Sequence, residues 1–346
     1  EYVMNFSPRF MATSLSVVPH RDLQQICRMI LKNFPEAPTI PRLTSSLRML
    51  TEGMPCLVVD RVKRVLSFEL TPEREHELIE FYEHLDAGDV DYFAISEGYM
   101  SGFHALLRIL KEDPPPELKV VHIQIPGPVS WALATKDDKG TPAFYNPTLR
   151  DVMVKTIAMK AKWQEKKVKE ILPGIETMVI YGDPSLGIHN SAMGGGARED
   201  MINAVNEIVE AVEGMAGIHC CANIDWTVLT ESKADLINFD AYEYSDKLAL
   251  YPNDLNLFLE RGGMLAWGIV PTSDEKIAME SVDTLTKRLD QGIALMIDRG
   301  VEKGLLVENS WVTPSCNTAS MSLDLAERAF VYTSEISHRM RERYCD

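Results

Sequence analysis

Short β-like runs alternate with longer helical patterns along the whole chain, and this alternation limits the possible folds more than any other feature. Runs beginning near residues 11, 91, 118, 176, 217, 234, 264 and 305 carry strand-like apolar residues. Helical patterns lie between them. In 20–34, for example, Leu23, Ile26, Cys27, Ile30 and Leu31 fall on one helical face. Strands joined by helical crossovers run parallel, because a tight turn can only join antiparallel neighbours. Eight such units predict an α/β fold of the (β/α)8 TIM-barrel type, and 346 residues suit one. An open doubly wound sheet is the rival. It is weakened because no Gly-x-Gly-x-x-Gly turn follows the first run.

No internal repeat or low-complexity stretch marks a boundary, so residues 1–346 read as a single barrel domain, with 1–10 as an N-terminal extension. Segments 56–60 and 64–70 predict a small hairpin insertion near the N-terminus. The Pro-rich segment 35–41 predicts a loop. The longest predicted helix, 147–172, carries a lysine face (155, 160, 162, 166, 167 and 169) that reads as solvated. The run Gly194-Gly195-Gly196 reads as the hinge of a lid rather than a phosphate loop, since no Lys-Ser/Thr follows it.

Charge excludes two classes of partner. Lys+Arg is 35 against Asp+Glu 51, a net −16, so the basic footprint needed for nucleic acid is missing. The same sign disfavours an anionic membrane surface, and no stretch of ~18 apolar residues is present to span a bilayer. The first residues have neither a basic n-region nor an apolar h-region, so a reducing cytoplasm is the expected setting. The 6 cysteines are too few and too scattered for a disulfide framework. The question is therefore which of them are ligands or nucleophiles.

Functional residues of a TIM barrel stand at the C-terminal ends of its strands. The strand at 217–221 ends His219-Cys220-Cys221, and period-two alternation sends His219 and Cys221 to one side and Cys220 to the other. The strand at 234–240 ends on Asp240, and the last strand leads through Thr313-Pro314-Ser315 to Cys316. A lone buried cysteine is usually a small hydrophobe. An imidazole, two thiols and a carboxylate meeting at one mouth are instead the ligand types zinc takes, and an exchangeable fourth place marks a catalytic site. Cys27, Cys56 and Cys345 lie in a helix stripe, a hairpin and the chain end, and read as non-catalytic. Zinc with two thiolates is electron-rich. It suits holding a substrate thiol as thiolate better than activating water.

These residues resemble the catalytic barrel of cobalamin-independent methionine synthase, as a short single-barrel relative in the wider superfamily that includes uroporphyrinogen decarboxylase. The resemblance is carried by His219-Cys220-Cys221, Asp240, Thr313-Pro314-Ser315-Cys316, the loop Ile125-Pro126-Gly127-Pro128-Val129, Phe34-Pro35-Glu36 and Trp267-Gly268-Ile269-Val270-Pro271. It runs from about residue 11 to 340. It implies zinc on His219, Cys221 and Cys316 as the catalytic set, with Asp240 where the family has Glu. It also implies methyl transfer to a small-molecule thiol, homocysteine, in methionine biosynthesis. The length leaves no room for the family's second barrel, so the expected methyl donor is methylcobalamin or a corrinoid protein. Gly182-Asp183-Pro184 stands where the family has Asp-Glu-Pro, so the acidic residue that holds the amino group is missing. Another thiol is the alternative acceptor, and a non-catalytic zinc- or thiol-binding barrel the alternative role. The decarboxylase itself is disfavoured: Arg9 and Arg21 stand without its Arg-x-x-Gly-Arg pattern.

Four further residues at strand ends are candidates for substrate binding. Asp183 and Glu97 follow their strands directly, Asn223 follows the zinc motif, and His20 follows the first strand.

Overall fold

The computed structural model describes residues 7–43, 48–60, 65–190 and 195–345. Residues 1–6 of the expected extension, the link between the two expected hairpin strands and Gly194 of the expected hinge lie outside that description. In chain order the strands are β1 (Met11–Ala12), β2 (Leu57–Asp60), β3 (Val65–Phe68), β4 (Val120–Pro126), β5 (Lys136–Asp137), β6 (Glu176–Gly182), β7 (Met215–Cys220), β8 (Leu236–Phe239), β9 (Met264–Val270) and β10 (Ser310–Pro314). Seven of them form one parallel sheet in the order β1-β10-β9-β8-β7-β6-β4, a TIM-barrel-like curl with helices between the strands. The other three form a small separate sheet, in which β2 and β3 pair antiparallel and β5 lies parallel to β3.

Two expectations are corrected. No strand forms over 91–96. Val90–Phe93 is a single 3-10 turn, because Asp89 caps it by accepting from the Tyr92 amide and Phe93 packs edge-on against Phe81. The run near 305 is also helical at first, over Lys303–Glu308, since both Glu302 oxygens accept from the amides of Gly304 and Leu305. The last strand therefore begins only at Ser310.

The Pro-rich segment 35–41 is without helix or strand, as expected, but isolated bridges tie it to its neighbours. Residues 36–42 do not loop away from the sheet. The His122 amide donates to Pro38 O and the Ile40 amide to His122 O, both at 2.9 Å, which ties the segment to β4. On the other side the Arg42 amide donates to Ser16 O and the Val18 amide to Arg42 O, just beyond β1. Pro38 and Pro41 have no N–H, so no continuous ladder can form, and from sequence alone the segment looks like a loop.

Two layers fill the interior. At the strands' N-terminal ends, one apolar cluster takes Met11, Ala37, Val120, Met178, Met215, Leu236, Met264 and Trp311, so the segment containing Ala37 contributes as the strands do. On β7, Met215 belongs to this inner cluster, whereas Ala216, Ile218 and Cys220 belong to the core under the helices. His219 therefore points inward. Above the apolar layer the inner face turns polar, with Thr13, His122, Gln124, His219, Asn238 and Thr313 all buried. Among the described residues no helix is long and apolar enough to cross a membrane.

Close packing at Gly268 holds the end of β10 in place. The β9–β10 register shifts between Thr313 and Pro314, and a Cβ at Gly268 would lie 2.5 Å from Phe239 O and 2.8 Å from Ser315 Cα. Both neighbours are backbone and cannot give way without moving a strand. Gly268→Ala is therefore expected to lower unfolding stability by about 1–3 kcal/mol. A shift of the urea midpoint to lower concentration checks it, and an unchanged midpoint would show that the strand end yields freely.

Candidate metal centre

β7 delivers His219 on its last inward position, and Cys221 follows one step beyond the strand end. β10 delivers Cys316 after the register shift, where the Ser315 amide donates to Val270 O at 2.8 Å and pins the turn. The potential ligand atoms of His219, Cys221 and Cys316 all lie within 4.8 Å of one another. His219 is buried, and both thiols are half-buried. Cys220 faces the helix layer as alternation predicts; its thiol donates to Ala222 O, and burial pushes its pKa up to about 12.

The two half-buried thiols are unequal. Cys221 is held well below the usual thiol range, first because the Cys316 thiol donates to it, and also by the neighbouring His219. Cys316 is pushed up, first by sharing its proton with Cys221 and then by burial. The two sulfurs thus compete for a proton, and a cation between them would let both ionise. The Asn317 side-chain amide also points at the Cys316 sulfur, at 3.8 Å. His219 adds a further signal: its Nε2 is buried and has no hydrogen-bond partner, whereas its Nδ1 lies 2.6 Å from Asn238 Oδ1. An orphaned imidazole nitrogen beside two thiols that compete for a proton fits a zinc ion in its donor types.

Asp240 lies near this group without joining it at the same separation. It caps the helix Ala241–Leu248, with Oδ1 accepting from the Glu243 amide at 3.0 Å. Burial raises its pKa to about 6, and its charge acts on both sulfurs.

The other sequence candidates are placed less centrally. Asp183 is fully buried. Its oxygens accept from the Val129 amide (2.9 Å), the Ser130 amide (2.8 Å) and Ser130 Oγ (2.5 Å). Its carboxylate thus serves the start of the helix Pro128–Ala134 and leaves no face for a substrate ammonium. Burial pushes its pKa up to about 6, against the pull of those donors. A Cβ at Gly127 would fall 2.4 Å from the Asp183 side chain, so the Gly-Pro-Val loop needs glycine there for close approach. The Gly127 amide donates to Gly182 O and the Asp183 amide to His219 O, which ties this loop to β7. Glu97 is not at a strand end, because no strand precedes it; it is exposed and paired with Arg108 at 2.8 Å. His20 is buried against the closing helix Leu323–Tyr344, stacked on Phe330 and 3.5 Å from Glu327, and so turns away from the mouth. Asn223 is exposed in the loop after β7. Sequence reading missed Asn238 and Asn317; the position of Asn238 two residues before Asp240, on the same face of β8, was the available signal.

The role of Asp183 can be tested through stability. Asp183→Asn replaces an acceptor by a donor that faces amide and hydroxyl donors already in place, so a loss of about 1–3 kcal/mol is expected. Thermal unfolding of the two proteins measures it, and equal stability would mean that the loop does not depend on the carboxylate.

No protein-family model matches the chain, and no curated protein matches it. A solved structure does: a Listeria monocytogenes protein provisionally named a vitamin-B12-independent methionine synthase. It superposes with a TM-score of 0.54 at 12% identity, over 92% of this chain and 86% of that one. A GH113 β-mannanase from Alicyclobacillus acidocaldarius covers 99% of this chain and 98% of its own, at 10% identity and a TM-score of 0.41, a likeness too loose to inform function. The chain is thus similar in fold to the Listeria protein, as the sequence resemblance implied.

Proposed function

We propose that the chain is a zinc-dependent methyltransferase acting on a substrate thiol, with homocysteine as the leading acceptor and methylcobalamin or a methyl-corrinoid protein as donor. The observation that carries this reading is the convergence of His219, Cys221 and Cys316 where β7 and β10 end. The donor set is one imidazole and two sulfurs, and three protein ligands leave one place for an exchanging group. A zinc ion held there would supply that place, at which an acceptor thiol is kept as its nucleophilic thiolate.

The chain's own residues shape what can approach. His219 and the two thiols form the floor of the site, and Asp240 is the acidic group on hand as a further ligand. Gly182 pairs with His219 across β6 and β7, and a Cβ there would meet only Gln124 Nε2 at 3.6 Å and Ile125 O at 4.0 Å. A small side chain at Gly182 would therefore fit beside His219 without a clash. Its neighbour there is the neutral amide of Gln124 rather than the acid that the resembled family places at this position.

Two expected outcomes follow from this site. Purified wild-type protein should carry stoichiometric zinc and form methionine from methylcobalamin and homocysteine, whereas Cys316→Ser should lose both. Mass spectrometry of products and metal analysis read the two together. Zinc with no thioether from a panel of thiols and methyl donors would leave a non-catalytic thiol-binding barrel. Gly182→Asp should place a carboxylate beside the acceptor and lower KM for homocysteine by roughly 10-fold, the weight of one charge-assisted hydrogen bond. An unchanged KM would mean that the amino group lies elsewhere.

A further inference from the structure

The sequence marks Asn238 only by its place two residues before Asp240, yet its surroundings settle a question that the candidate ligands alone leave open. Asn238 is fully buried on the inner face of β8, between the strand that carries His219 and the strands that lead to Cys316. Its Nδ2 donates to Ala266 O of β9 at 3.0 Å and to Thr313 Oγ1 of β10 at 2.8 Å. A carbonyl oxygen can only accept, so the contact with Ala266 fixes which end of the amide is nitrogen. The other end, Oδ1, lies 2.6 Å from His219 Nδ1 and can also only accept. The imidazole proton must then sit on Nδ1. In the neutral ring this leaves a bare lone pair on Nε2, the buried nitrogen that has no hydrogen-bond partner.

We propose that Asn238 is a positioning residue of the metal centre. It holds the His219 proton on Nδ1 and fixes the ring so that Nε2 is presented as a ligand beside Cys221 and Cys316. Metal-binding histidines are commonly oriented this way by a carboxylate or a carbonyl. Here an amide does it, and it adds no negative charge next to two sulfurs that already compete for one proton. The same side chain links β7, β9 and β10, so it also ties the strand bearing His219 to the strand that leads to Cys316. The inference rests on the metal-centre reading above.

The test uses the full chain with its histidines labelled in nitrogen-15. In metal-free wild type at neutral pH, His219 should show a protonated Nδ1 and an unprotonated Nε2. Asn238→Leu, close in size but without polar atoms, should lose this single tautomer and bind zinc 10–100-fold more weakly in competition with a chelating dye. Asn238→Asp retains an acceptor facing Nδ1 and should restore the tautomer and most of the affinity. A role in packing alone would instead lower the unfolding temperature of Asn238→Leu and leave tautomer and affinity unmoved. That result, or a wild-type spectrum with the proton on Nε2, would overturn the proposal. If Asn238→Leu does not fold, the wild-type spectrum and Asn238→Asp decide. Wild type that binds no zinc while His219 keeps its proton on Nδ1 would overturn the metal-centre reading and uphold the role of Asn238 in fixing the ring.

Discussion

Parallel backbone pairing from β6 to β10 governs where every inward side chain can stand. His219 pairs with Gly182 on one side and Asn238 on the other, and Asn238 pairs in turn with Ala266. Because side chains alternate with period two, a slip of one residue in β7 would send His219 and Cys221 into the helix layer and bring Cys220 inward. The inner apolar cluster opposes such a slip: Met215 would leave it, and only Gly214 or Ala216 could take its place, leaving a void. The cluster of His219, Cys221 and Cys316 is thus held by the same burial that holds the sheet.

The inside of the curled sheet has a direction. Methionines, leucine and tryptophan fill the strands' N-terminal ends, while histidine, asparagine, glutamine and threonine fill the layer nearer the mouth. A buried polar layer persists only when its members satisfy one another. Here Asn238, Thr313 and His219 form one connected chain, and Thr13 with His122 forms another. Outside this layer the Gly127 loop is fastened by Asp183, a buried acid whose oxygens are met by the donors of Val129 and Ser130. The site therefore stands on strand ends and fastened turns.

Much of this was legible in the chain. A continuous apolar run such as 264–267 announces a buried parallel strand, and His-x-Cys at one strand end fixes which thiol faces inward. The misreadings have local physical causes. The loop read at 35–41 is a loop, but the sequence did not show that backbone groups of 36–42 pair with β4 and beyond β1, because its prolines break any ladder pattern. Residues 91–96 read as strand because the four-residue apolar stretch 92–95 fits either period, and the Asp89 cap turned Val90–Phe93 into a 3-10 turn. His20 and Asp183 both follow strand ends, as expected of functional residues, yet one turns onto a helix and the other into a loop.

The sequence by itself determined the class of fold and singled out His219, Cys221 and Cys316 as candidate ligands, because hydrophobic periodicity and residue chemistry are local properties. Which groups meet was left to tertiary structure. His219, Cys221 and Cys316 come within 4.8 Å of one another only because the sheet curls until β7 and β10 end together. The His219 proton is assigned only because β8 places one amide between a histidine, a carbonyl and a threonine on three other strands. Contacts between residues distant in the chain carry no periodic signature, so only the packed sheet decides them.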